Sequence, residues 1–260
     1  MRRQICIINK SSHAISFNKL FETCKDLQTQ IDKDLFPMWG RQAQVTPLHS
    51  TDTIPANVWP VLLLDKSRAG LGVHLDSKGK PFAEVTVNPN SWENTTITIS
   101  HEILEMLVDP YGNYLRMAPS IEPGANGRLV RYLIEVGDPC EMYSYNIGNT
   151  VVSDFITPEF YNINSSSNNE FDLLQKLQKP LEVPIGGYIS YQDPSDNHWH
   201  QKDTKGNFKD IGIIDNNINP RLDRDNKGGE EEENGEKDKR HDLQPILAEY
   251  NQKFESITSI

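Results

Sequence analysis

Apolar residues along the chain change period several times, and each change predicts an element. Residues 4–8, QICII, read as a short buried strand. From Phe17 the period is helical. Phe17, Leu20, Phe21, Cys24, Leu27, Ile31 and Leu35 fall at i, i+3, i+4, i+7 steps behind Ser16, a good N-cap, with Pro37 and Gly40 as the expected stop. Residues 42–48 and 59–64 read as two further strands, and the second, WPVLLL, is apolar throughout and suits a sheet centre. Residues 71–75 and 81–87 flank Asp76-Ser77-Lys78-Gly79, which predicts a hairpin. Thr95 to Ile99 is β-branched and locally favours a strand. Ile103, Leu104 and Leu107 nevertheless share one helical face, so a buried helix is expected from Asn94 as N-cap to Asp109. The order strand, helix, strand, strand, hairpin, helix predicts an α/β (α+β) fold: a mixed sheet, parallel apart from one antiparallel edge strand, over a helix. Residues 129–136 and the alternating stretch around His198 and His200 predict a β-rich C-terminal part.

The pattern stops near residue 212. Residues 1–212 are expected to form the folded body. Residues 213–242 contain four successive glutamates and few apolar groups, too little to offset ordering entropy, and read as an acidic disordered linker. Residues 243–260 form an expected amphipathic tail helix, with Ile246, Leu247, Tyr250, Phe254 and Ile257 as a face for the body or a partner. The 26 basic and 37 acidic residues leave a net charge of −11, most of it in the body, which argues against a nucleic-acid partner. No apolar run reaches the roughly 18 residues of a membrane span. Met1-Arg2-Arg3 precedes only a brief apolar run, so no signal peptide is expected. Cys6, Cys24 and Cys140 lie far apart without a CxxC pair, so a disulfide framework is not expected and a cytoplasmic setting is the default, with export by another route left open.

Candidate chemistry sits on the second predicted helix. With His101 at zero and about 100° per residue, Glu105, Asp109 and Glu102 fall within about 100° of it, roughly a quarter-turn, on an otherwise apolar helix. Buried uncompensated carboxylates cost several kcal/mol each, and a divalent cation removes that cost. His101 and Glu105, at i and i+4, can point at one ion, and Glu102 is then placed as base on a water that the ion holds. The competing reading is a solvated helix face. Against it stand the helix's apolarity and a second acidic cluster, Glu135 and Asp138 in LIEVGDPCE, presented where a strand ends in a turn.

These two segments, HEILEMLVDP and IEVGDPCE, resemble a group of largely uncharacterised bacterial zincin-like proteins, in which a HExxExxxDP helix is followed by EIGDxC. Plant exordium-like proteins are more distantly similar. The resemblance covers roughly residues 4–201 and implies a zincin-like sheet over an active-site helix. It implies His101 and Glu105 as metal ligands and Glu102 as general base. Glu135 or Asp138 would be a third ligand, the other supporting it, and Asp109 a further ligand or the helix end. Zinc is the first expectation. A donor set with one histidine and several carboxylates also suits manganese, iron or calcium. The expected activity is that of a zinc metallopeptidase, with residues 71–75 pairing with an extended peptide or protein substrate. The alternatives are a non-catalytic metal-stabilised binding module, whose tail recruits partners, and an ion-pair helix without metal. Other candidates carry weaker signals. His198 and His200 read as a surface or ligand-adjacent pair, and His74 as packing or substrate-side hydrogen bonding. Cys140 reads as a buried thiol, Tyr143 or Tyr145 as oxyanion donors, and Asp154 and Tyr188 have no derivable role.

Overall fold

The computed structural model describes residues 2–166 and 170–214. The expected tail helix and all but the first two residues of the expected linker lie outside the described residues. Ile214 is buried against Leu133, Trp199 and Ile211, so the body reaches two residues past its expected end.

Five strands build the first sheet: β1 (Arg3–Asn9), β2 (Ala43–Leu48), β3 (Val58–Leu64), β4 (Gly72–Ser77) and β5 (Lys80–Thr86), in the order β2-β1-β3-β5-β4. All pairings are parallel except β4 with β5, so β4 is the antiparallel edge. Lys78 and Gly79, both at positive φ, make the two-residue turn between β4 and β5. One sheet face carries Ile5, Ile7, Val61, Leu63, Ala83 and Val85. These pack with the apolar stripes of α1 (Phe17–Gln30) and α3 (Trp92–Val108).

Ser16 caps α1, its hydroxyl accepting from Lys19 N–H at 3.2 Å. Pro37 does not stop this helix. A π-helical turn, Ile31–Leu35, lets Phe36 N–H reach Ile31 C=O, and the chain then continues through α2 (Phe36–Trp39) to Gly40 at φ 66°. The wider turn displaces the carbonyl that Pro37 would otherwise meet.

The cap of α3 is Ser91 rather than Asn94, with Asn94 N–H donating to its hydroxyl at 3.2 Å. The β-branched stretch is helical because its polar groups find helical partners: Thr95, Thr96 and Thr98 hydroxyls donate to the carbonyls of Ser91, Glu93 and Asn94. Thr96 also reaches Val151 C=O at 2.8 Å. Burial on every side then outweighs local propensity, and residues 99–108 are all buried.

The C-terminal part is β-rich. β6 (Leu115–Pro119), β7 (Leu129–Leu133), β10 (Ile189–Gln192), β11 (Trp199–Lys202) and β12 (Phe208–Gly212) form an antiparallel sheet in the order β12-β11-β10-β7-β6. β8 (Ser144–Ile147) and β9 (Thr150–Ser153) form a separate ribbon. A buried polar knot joins β9 to both long helices. Ser100 hydroxyl donates to Gln30 Oε1 at 2.7 Å and accepts Ser153 N–H at 3.1 Å, while Gln30 Nε2 donates to Ser153 C=O at 2.9 Å. No helix among the described residues is long and apolar enough to cross a membrane.

Candidate metal centre

The strand expected over residues 129–136 ends at Leu133. Ile134 N–H carries the pairing with β6 one step further, to Tyr114 C=O, and Val136 C=O then takes Ile156 N–H instead. The chain thereby leaves the sheet and passes against α3. Gly137 meets His101 so closely that a Cβ there would lie 2.4 Å from Nδ1, and its N–H donates to Glu105 Oε1 at 3.2 Å. Asp138, next in sequence, then reaches the same imidazole.

His101 Nε2 lies 3.3 Å from Glu105 Oε1 and 3.2 Å from Asp138 Oδ1. All three residues are buried, with their ligand atoms within 4.8 Å of one another. Tetrahedral zinc ligands at about 2.0–2.2 Å from the ion stand roughly 3.3–3.6 Å apart. The two separations at His101 are close to that spacing.

β4 contributes a second imidazole. His74 Nε2 lies 2.9 Å from Asp109 C=O, which can only accept, so this nitrogen carries a proton and donates. Nδ1 therefore faces inward, 3.6 Å from Glu102 Oε2 and 3.4 Å from Glu105 Oε2. Glu105 sits between the two histidines, one oxygen toward each.

The electrostatics match this arrangement. Burial alone would pull His101 down, but Glu105, Asp138 and Glu102 override it and hold the imidazole well above its usual range. Burial and the charges of Glu105 and Glu135 push Asp138 well up, against the pull of His101. Both directions express one demand: the cluster takes up positive charge. Glu102 Oε2 and Asp138 Oδ2 are buried and make no hydrogen bond, which costs about 1–3 kcal/mol each, or more when charged. Positive charge supplied within each cluster would offset that cost.

Of the expected ligands, His101, Glu105 and Asp138 are therefore brought together. Asp109 and Glu135 belong to neither cluster. Asp109 closes the helix end: its carboxylate accepts Asn113 N–H at 3.1 Å and Tyr114 N–H at 2.8 Å. Those amides oppose the rise that burial gives it. Glu135 is buried, and its charge raises both Asp109 and Asp138. Glu102 faces both His74 and a cleft of about 630 Å³, which His101, Gly72, Thr98, Tyr188 and Asp203 also line.

The weaker candidates separate cleanly. Tyr145 hydroxyl donates to Asp34 at 2.7 Å and accepts from Gln30, so it is committed away from the cleft. Tyr143 packs on the core. Tyr188 is the tyrosine that lines the cleft; burial, Asp138 and Glu141 all raise it, so its hydroxyl stays protonated. His198 pairs with Asp210 at 2.9 Å, and His200 stacks on Tyr191. Cys140 is a fully buried thiol, raised by burial first. Asp154 is structural, accepting Phe155 and Leu174 N–H.

Three contributors were not assigned to the centre from the sequence: His74, Gly72 and Gly137. His74 pairs with Ala83, on the sheet face turned to α3, while its neighbours Val73 and Leu75 cluster with Phe82 on the other face. That alternation is the available signal, but only the register turns it into a position. The glycines are marked by their motif neighbours alone.

Compared with family models, with curated proteins and with solved structures, the chain matches none.

Proposed function

We propose that this chain is a metal-dependent hydrolase, most specifically a zinc metallopeptidase of zincin-like type. The observation that carries this reading is a buried imidazole–carboxylate triad at coordination spacing, His101, Glu105 and Asp138, beside a cleft that His101 and Glu102 line. The HExxE and GDPC segments that supply these residues support it through their resemblance to the bacterial zincin-like group. A zinc ion held there would supply Lewis acidity to a carbonyl and lower the pKa of a water.

The chain's own residues complete the chemistry. Glu102 lines the cleft with its Oε1 on the Gly72 side, where a Cβ would come within 2.6 Å of it. It is placed to accept a proton from water in the cleft and return it to a leaving amine. Tyr188, protonated and on the same cleft, is placed to donate to a developing oxyanion. β4 is an edge strand, with Leu71 and Gly72 on the cleft, and an extended peptide can add to it through main-chain hydrogen bonds.

The test pairs zinc analysis with hydrolysis of a panel of denatured proteins by wild type and Glu102→Gln. The expected result is at least one zinc ion, that of His101, Glu105 and Asp138, retained in both, with the variant slower by roughly 10²-fold or more. Protein without zinc affinity, or equal rates in the two forms, rejects the reading.

A further inference from the structure

We infer that the centre is dinuclear: His74 Nδ1, Glu102 Oε2 and Glu105 Oε2 hold a second divalent cation, with the Glu105 carboxylate shared between the two ions. This rests on the reading that His101, Glu105 and Asp138 hold the first.

Four observations carry it. First, His74 donates its Nε2 proton to a backbone carbonyl, so its remaining nitrogen is aimed between two carboxylates that can only accept when ionised. Either a second proton or a cation stands between them. Charge-assisted N–H···O bonds run about 2.7–2.9 Å, whereas the His74 contacts are 3.4 and 3.6 Å, the separation of two ligands around one ion. Second, Glu102 Oε2 is buried without a hydrogen bond, in a residue only 3% exposed, and it points at His74. Third, the Glu105 oxygens diverge, Oε1 toward His101 and Oε2 toward His74, as a carboxylate bridging two ions requires. Two-metal sites place their ions about 3.5–4 Å apart, within reach of one such bridge.

Fourth, one ion does not serve both clusters. Asp138 belongs to the His101 cluster and Glu102 to the His74 cluster, and each keeps one buried oxygen without a hydrogen bond. Among the described residues, the ion pairs of Glu102 and Asp138 are with histidines alone. An ion in the first cluster leaves Glu102 Oε2 as it is; a second beside His74 takes it up. Glu102 would use Oε2 for the ion and keep Oε1, beside Gly72, for the cleft.

The test is native mass spectrometry of the full chain, stripped with chelator, reloaded with Zn²⁺ and exchanged into metal-free buffer. Two zinc ions are expected in wild type and one in His74→Ala. One ion in wild type overturns the inference and leaves the first site standing. Two ions in both proteins overturns it too, because the second then lies elsewhere. No ion in wild type removes both readings. Should His74→Ala fail to fold, X-ray absorption fine structure of zinc-loaded wild type replaces it. A Zn–Zn distance of about 3.5–4 Å is expected, and its absence overturns the inference.

Discussion

Gly137→Ala is the sharpest perturbation of the centre, because it adds one methyl group and nothing else. The Gly137 backbone sits at φ −85°, which alanine adopts without strain, so the loss of glycine's conformational freedom is not at issue. The added Cβ would lie 2.4 Å from His101 Nδ1 and 2.5 Å from Cε1, where ordinary contact begins at 3.4 Å. The imidazole or the turn must therefore yield by about 1 Å. Metal sites tolerate about ±0.2 Å in ligand position, so the displacement is several times what the His101–Glu105–Asp138 triad can absorb. Overpacking of this kind costs roughly 1–3 kcal/mol of stability. The metal affinity is expected to fall by more than the 10–100-fold typical of losing a supporting hydrogen bond. Zinc affinity by chelator competition, with urea unfolding as the control for folding, reads both effects. A folded variant that binds zinc as tightly as wild type would refute the placement of His101 against Gly137, and with it the triad.

Two further perturbations test how the centre is supported. Ser100→Ala removes the hydroxyl that donates to Gln30 and accepts from Ser153. Leaving those buried groups unpaired should cost about 1–3 kcal/mol, and a change below about 0.5 kcal/mol in urea unfolding would contradict the knot. Burial first, then the neighbouring Asp172 carboxylate, push Asp154 up to about 8. A carboxyl raised in the fold binds its proton more tightly than in the unfolded chain. Its contribution is thus fully present below about pH 4 and lost as pH rises toward about 8. The urea midpoint should fall over that window in wild type and fall less in Asp154→Asn, whose amide keeps an oxygen for Phe155 and Leu174 N–H and can donate to Asp172. Equal falls in the two proteins would assign the pH dependence to other groups.

Much of the fold was legible because hydrophobic period and turn chemistry agreed with it. The stripe from Phe17 to Leu35, the apolar run of β3 and the Lys78-Gly79 turn lead directly to the mixed sheet and its antiparallel edge. The site was half legible. His101, Glu102 and Glu105 share a helix face by arithmetic, while the turn in IEVGDPCE narrows the third ligand to Glu135 or Asp138 without choosing between them. His74 was not, because its place depends on the pairing of β4 with β5 and on α3 crossing that face, neither of which is local. Asp109 lies on the same helical arc as Glu105, yet the turn to Tyr114 offers it two amides and takes it away. Pro37 was misleading for a related reason: a proline stop assumes a regular helix before it, and the π-turn changes which carbonyl it meets. In each case a contact distant in sequence, or an irregularity in the backbone, decided what the local pattern left open.

The metal ion proposed here is held by His101, Glu105 and Asp138. Anomalous diffraction at the zinc edge, from crystals of the full chain grown with Zn²⁺, tests that placement most directly. A strong peak is expected about 2.0–2.2 Å from His101 Nε2, a Glu105 oxygen and Asp138 Oδ1. Density confined to surface groups such as His198 and Asp210, with nothing between those three residues, would contradict it.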